Sequence, residues 1–229
     1  MSAIHVFLAE LDRRVVDVDD DLFGPAEARR LAVGTPEARR RRQSIGVRAL
    51  LVVALDWLFG PEHPHRWLDR DGGRPVLCGE AAPCISLAHS GDGVICAVSN
   101  RPVGVDIEVR RDRGFLDLAR FEFPSEESEQ LTALPTEQQA MRFYRLWTAR
   151  EAAFKVFGRT QQSGLLDLDE WRFVYGEAIY GTWLDLPFPY VGAVAAMSQS
   201  PPDVFFHLGV DPPLQVGRDP SCTVNVRLD

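Results

Sequence analysis

"CISLAHSGDGVICAVSNRPVGVDIEV", residues 84–109, decides the fold class. Three short apolar, β-branched runs, 84–89, 94–99 and 102–109, are separated by a "SGDG" turn and a turn at Asn100-Arg101. That spacing predicts three consecutive strands paired as a meander. Working outward, residues 4–10 suggest an opening strand, and 24–33 and 35–60 read as helices. In the second of these, Thr35 is placed as N-cap, Pro36 at the first helical position, and Gly60-Pro61 as the stop. Dense Pro, Gly and Asp from 61 to 83, including the turn "DRDGGRP", indicate loop. Residues 115–134 read as a helix with an acidic insertion, "FPSEESEQ", and a long helix follows from about Thr136 to Gly158. Strand-like runs close the chain: "WRFVYG" (171–176), "YVGAVAAMS" (190–198) and "VFFHLGV" (204–210), before an irregular tail. The expected class is α+β (α/β), with two similar halves, 1–101 and 102–229, packed tightly and leaving a cleft between them.

Composition narrows the function. The 229 residues carry a net charge of −8, which argues against a general nucleic-acid binder, because phosphate contacts need a basic surface. The longest apolar run, Ala49 to Phe59, contains Asp56 and is too short to span a bilayer, so no membrane association is expected. The N-terminus lacks a basic region and reaches Glu10 too early for a signal peptide. Cys78, Cys84, Cys96 and Cys222 show no zinc-ligand spacing, and a reduced, cytoplasmic chain is the expectation. Within this acidic protein, residues 29–48 hold seven arginines and a single acid, Glu37. That run reads either as a solvated helix face or as a local site for a small phosphorylated ligand.

Two stretches carry candidate chemistry. In "VGVDIEVR", alternation turns Val103, Val105, Ile107 and Val109 one way and Gly104, Asp106, Glu108 and Arg110 the other. Asp106 and Glu108 then share a face roughly 6–7 Å apart at Cα. Like charges so placed repel unless a cation or a proton resolves them. An ordinary solvated Asp/Glu/Arg cluster would look the same. In "WTAREAAFK" (147–155), Trp147, Glu151 and Lys155 are spaced by four and line one helical stripe. A large aromatic on that stripe implies that it faces protein, so Glu151 must be paired or coordinated. Asp106, Glu108 and Glu151 make a three-carboxylate set suited to Mg²⁺, which keeps waters and takes substrate phosphate oxygens. Lys155 is the only lysine; the other 24 basic residues are arginine. It reads either as an i,i+4 helix partner of Glu151 or as a site that needs a compact point charge.

Together, "VGVDIE" and "WTAREAAFK" resemble the (V/I)G(I/V)DxE … WxxKEAxxK signature of phosphopantetheinyl transferases. "GRPVL" and "SLAHSGDGVICAVS" resemble that family's G-K-P and S-H-S-G segments, in the right order and at the right separations. The set is similar to the larger surfactin-synthetase-activating (Sfp-like) class and spans about residues 36–175. The resemblance implies a pseudo-twofold pair of α/β halves with coenzyme A in the cleft between them. It implies transfer of 4′-phosphopantetheine from coenzyme A to a serine of an apo carrier protein, leaving adenosine 3′,5′-bisphosphate. The carrier would be of the fatty-acid, polyketide or nonribosomal-peptide kind, and the enzyme a monomer. Asp106, Glu108 and Glu151 would hold Mg²⁺ against the diphosphate, and Glu151 would accept the serine proton, directly or through water. Lys155 would contact the diphosphate. Arg74 and Pro75 would border the adenine and sugar, while Arg42 and His89 would meet the 3′-phosphate.

Three positions depart from the family pattern. Arg150 and Arg74 stand where lysine is usual, and Ala88 replaces the serine that often precedes the histidine. None of these removes a metal ligand. Two rival readings use the same residues: a Mg²⁺-dependent phosphohydrolase, and a non-catalytic binding module whose acids form ion pairs while its arginines dock an acidic partner.

Overall fold

The computed structural model describes residues 3–11, 38–65, 68–71, 74–111, 114–157, 166–168, 172–175, 178–208, 214–215, 223–224 and 226–227. The chain is α+β and divides into two units, residues 1–103 with 203–229, and residues 104–202. The helix expected at 24–33 and the Thr35-Pro36 cap lie outside the described residues. No helix among the described residues is long and apolar enough to cross a membrane.

The first unit is built on a sheet in the order β11-β1-β5-β4, with a further short strand beside β1. β1 is Ile4–Leu11, β4 is Cys84–Ser90 and β5 is Gly93–Ser99. The β4–β5 hairpin turns at Gly91-Asp92, where Gly91 takes φ 64°, a conformation glycine adopts without strain. Helix α1, Ala38–Phe59, covers this sheet with Val47, Leu50, Leu51, Ala54 and Leu55. It stops where Gly60 N–H turns back to the Asp56 carbonyl. Residues 61–83, expected to be loop, contain a small hairpin of β2 (Leu68–Asp71) and β3 (Arg74–Leu77). The "DRDGGRP" turn joins two strands too short to register as apolar runs.

The meander expectation fails at its third strand. β5 is paired on both sides, to β4 and to β1, so it has no edge left for β6 (Val103–Val109). β6 instead opens the second sheet, ordered β6-β10-β9-β8-β7. Its other strands are β7 (Leu166–Leu168), β8 (Arg172–Tyr175), β9 (Ile179–Leu184) and β10 (Tyr190–Met197). The helix expected at 115–134 is broken by Pro124 into α2 (Phe115–Glu122) and α3 (Ser125–Ala133). Helix α4, Thr136–Phe157, packs Phe143, Leu146, Ala149, Ala153 and Val156 into the core of this unit. β11, Val204–Leu208, pairs parallel with β1, so the segment from Asp203 on, assigned by sequence to the second half, joins the first unit. In the tail, expected to be irregular, β12 (Leu214–Gln215) pairs with β13 (Thr223–Val224), and β14 (Val226–Arg227) pairs with β1.

Candidate active site

The second unit brings β6 against α4. Val103, Val105 and Ile107 are buried in the core, as alternation requires, and Gly104, Asp106 and Glu108 occupy the other face. Gly104 is where the two elements touch. A Cβ there would lie 1.9 Å from the Ala152 carbonyl oxygen and 3.0 Å from Lys155 Cβ. Only a hydrogen fits, and the close approach delivers Asp106 to the helix stripe.

There, Lys155 Nζ donates to Asp106 Oδ1 at 2.7 Å and to the Val105 carbonyl at 2.9 Å. The other carboxylate oxygen, Asp106 Oδ2, is buried and has no hydrogen-bond partner among the described residues. Burial pushes the Asp106 carboxyl above the usual range, with Lys155 working against it. Burial also raises Glu151, and the charge of Asp106 raises it further. Lys155 opposes that rise, while Glu108 and Glu122 add to it. Glu122 was not singled out from sequence. It ends α2, and it lines a small cavity with Phe123, Trp147, Arg150 and Glu151. Only the fold of α2 against α4 reveals it.

An oxygen-only donor set, mutual repulsion among the acids and an orphaned oxygen on Asp106 are what a hard divalent cation would resolve. As the side chains stand, no group of three or more His, Cys, Asp or Glu among the described residues is arranged to hold a metal.

Arg150, which stands where the family pattern has lysine, faces away from this cluster chemically. Its Nε and guanidinium NH₂ donate to Glu127 at 3.1 and 2.6 Å, and its guanidinium lies 5.8 Å from the centre of the Phe123 ring. Trp147 packs on Phe123 and Phe143, confirming that the Trp147–Glu151–Lys155 stripe faces protein.

In the first unit, Arg42 on α1 forms an ion pair with Asp92 of the hairpin turn, and Gln43 Nε2 donates to the Gly91 carbonyl at 2.5 Å. His89 is half-buried one residue from the end of β4, opposite Val94. Arg42 and His89 therefore adjoin the same turn. Arg74 and Pro75 open β3, paired with Asp71 and Arg70.

The sequence pattern of the 4′-phosphopantetheinyl transferase superfamily matches residues 102–189. The 4′-phosphopantetheinyl transferase HetI of Nostoc sp. is 32% identical over 176 residues, covering 73% of this chain and 72% of that enzyme. The 4′-phosphopantetheinyl transferase psf-1 of Bacillus pumilus is 37% identical over 93 residues, 41% of this chain and 40% of that enzyme. The 4′-phosphopantetheinyl transferase Sfp of Bacillus subtilis is 31% identical over 94 residues, 41% of this chain and 42% of that enzyme. With a matched region that contains β6, α4 and every acid of the cluster, this chain belongs to the 4′-phosphopantetheinyl transferase family and is a transferase.

Proposed function

We propose that the protein transfers 4′-phosphopantetheine from coenzyme A to a serine of an apo acyl-, peptidyl- or polyketide-carrier protein. The serine oxygen bonds to the β-phosphorus of coenzyme A. The bond from that phosphorus to the bridging oxygen breaks, and adenosine 3′,5′-bisphosphate leaves. The observation that supports this reading best is the buried, half-satisfied Asp106 beside Glu151 and Lys155.

Mg²⁺, held by Asp106, Glu108 and Glu151, would supply positive charge to the diphosphate oxygens as the bond breaks. Glu151, made more basic by burial and by its acidic neighbours, takes the serine proton directly or through one water. Lys155 gives its ammonium to a diphosphate oxygen, exchanging part of its contact with Asp106 for the substrate. Arg42 and His89 take the 3′-phosphate, with Arg42 trading Asp92 for it, and Arg74 and Pro75 border the adenine and sugar. A monomer acting in the cytoplasm, where coenzyme A and apo carriers meet, goes with this reading.

The test is a mass measurement on an apo carrier protein incubated with the enzyme, coenzyme A and Mg²⁺. The expected result is a gain of one phosphopantetheine on the carrier serine, matched by release of adenosine 3′,5′-bisphosphate. Phosphate release without carrier modification would mark a hydrolase instead, and neither product would mark a binding module.

A further inference from the structure

Strand β6 is the edge of its sheet, held on one side by β10. Helix α4 meets it at both ends of the acid pair. At the start of the strand, Gly104 lies against the Ala152 carbonyl and Lys155 Cβ. Past its far end, the contact is made by Tyr144. The Tyr144 hydroxyl accepts the Arg111 N–H at 2.9 Å and donates to the Arg111 carbonyl at 3.2 Å. One residue earlier, Arg110 N–H donates to the Pro189 carbonyl at 2.9 Å, which ties the same stretch to the β9–β10 connection.

Tyr144 is fully buried, with its ring edge-on to Phe143. Bonding the N–H and the C=O of one residue takes a group that donates and accepts at once, which a hydroxyl does. Phenylalanine would fill the same space and make neither bond.

The place of Tyr144 on the helix matters as much as its bonds. Tyr144 and Glu151 are seven residues apart, close to two turns, so they share a face, and Lys155 lies one turn farther along it. Arg111 follows Glu108 by three residues. The two joints therefore bracket all three acids: Asp106 and Glu108 on the strand, Glu151 on the helix. These carboxylates repel one another, and both Asp106 and Glu108 raise the pKa of Glu151. Repulsion of this kind drives strand and helix apart. Lys155 offsets it at Asp106, and the Tyr144 hydroxyl opposes it beyond Glu108.

We propose that Tyr144 is a positioning residue for the acid cluster: by clasping Arg111, its hydroxyl holds Glu108 near enough to Glu151 for both to share one divalent cation. This role rests on the assignment above of Asp106, Glu108 and Glu151 to Mg²⁺. Without the clasp, a cation must draw the acids together against their own repulsion, and it binds more weakly. By reciprocity, a bound cation must tighten the clasp by the same factor.

Mn²⁺ titrated into the full chain without substrate, and followed by electron paramagnetic resonance, reads cation affinity directly. Tyr144→Phe should bind Mn²⁺ about fivefold more weakly, the scale of one neutral hydrogen bond. Its turnover should return towards wild type as Mg²⁺ is raised, with the KM for coenzyme A at saturating Mg²⁺ unchanged. Thr148→Val removes another buried hydroxyl of α4, one bonded to the helix's own Tyr144 and Arg145 carbonyls, and should leave Mn²⁺ affinity unchanged. In the wild type, saturating Mg²⁺ should slow amide exchange at Arg111 by about the same fivefold. Equal Mn²⁺ affinity in wild type and Tyr144→Phe overturns the proposal. An equal loss in Thr148→Val, or Arg111 exchange indifferent to Mg²⁺, overturns it as well. The exchange measurement needs no variant and decides the matter if Tyr144→Phe does not fold. A wild type that binds no Mn²⁺ overturns the metal assignment itself, and the role of Tyr144 with it.

Discussion

Helix α4 makes two charged contacts with buried carboxylates, and the two are finished differently. Glu127 receives both arms of the Arg150 fork, and its Oε1 also accepts the Leu166 N–H at 2.9 Å. Its side chain is 5% exposed, and both of its oxygens are occupied. Asp106, with a side chain 10% exposed, receives the Lys155 ammonium on Oδ1, while Oδ2 has no hydrogen-bond partner among the described residues. A planar fork saturates a carboxylate; a point charge leaves room beside it. The difference teaches which pair is scaffold and which is site. Burying a carboxylate half-paired is costly, and on the function proposed above a cation or substrate would complete the shell of Asp106. It also gives the lone lysine among 24 arginines a physical reason.

The harshest way to break the comparison is to remove the unfinished carboxylates. Asp106→Ala or Glu151→Ala should abolish transfer, a loss of at least about 10³-fold on the scale of removing charge-stabilising groups. The fold should be kept, as judged by circular dichroism, because among the described residues Asp106 is bonded only by Lys155 and the backbone. Wild-type turnover in either variant would return the cluster to the status of a surface ion network.

Next comes the exchange of the point charge for a fork. Lys155→Arg should keep most coenzyme A affinity, since the charge stays, and lose turnover by a factor of about 10²–10³. A wider, rigid group at this position would saturate Asp106 as Arg150 saturates Glu127, closing the oxygen assigned to the cation in the proposed function. Steady-state kinetics separate the outcomes. A kcat within about threefold of wild type would make Lys155 an ordinary helix partner.

Much of this site was legible before any coordinates. Alternation in "VGVDIEV" placed Asp106 and Glu108 opposite the core, and the spacing of four put Glu151 and Lys155 on one protein-facing stripe. Both rest on local periodicity, which the backbone enforces whatever the tertiary context. Strand pairing was not legible, because it depends on which edges are free. The meander expectation placed β6 beside β5, whose second edge β1 already holds. β9 was missed although Ile179, Gly181 and Trp183 alternate inward, since a central glycine breaks the apolar signal. The tail's return to β1 through β11 is likewise a long-range choice. Glu122 and the saturation of Glu127 are properties of α2 and α3 packed on α4, and no spacing along the chain encodes them.

A smaller effect tests how the site is delivered. Gly104→Ala puts a methyl 1.9 Å from a backbone carbonyl, which no rotamer change relieves. β6 and α4 must part, at a cost of about 3 kcal/mol, the upper end of ordinary overpacking. Urea unfolding should report that loss, and turnover should fall with it as Asp106 moves from Lys155. A neutral outcome would show that the strand and helix can slide without consequence.

The smallest effect belongs to the finished pair. Arg150→Lys keeps a positive charge but replaces two donors in a plane with one mobile ammonium. One Glu127 oxygen loses its partner in part, and the guanidinium contact over Phe123, worth about 0.5–2 kcal/mol depending on desolvation, goes too. The Leu166 N–H remains on Oε1, so Glu127 is never fully orphaned. The expected loss of stability is therefore about 1–2 kcal/mol. Turnover should stay within about threefold, because both arms of the fork are committed to Glu127 even though Arg150 lines the same small cavity as Glu151. Denaturant unfolding and steady-state kinetics on this single variant read both quantities. The reverse pattern, unchanged stability with a hundredfold loss of kcat, would mean that Arg150 leaves Glu127 to act on the substrate, and the distinction between the two carboxylates would fall.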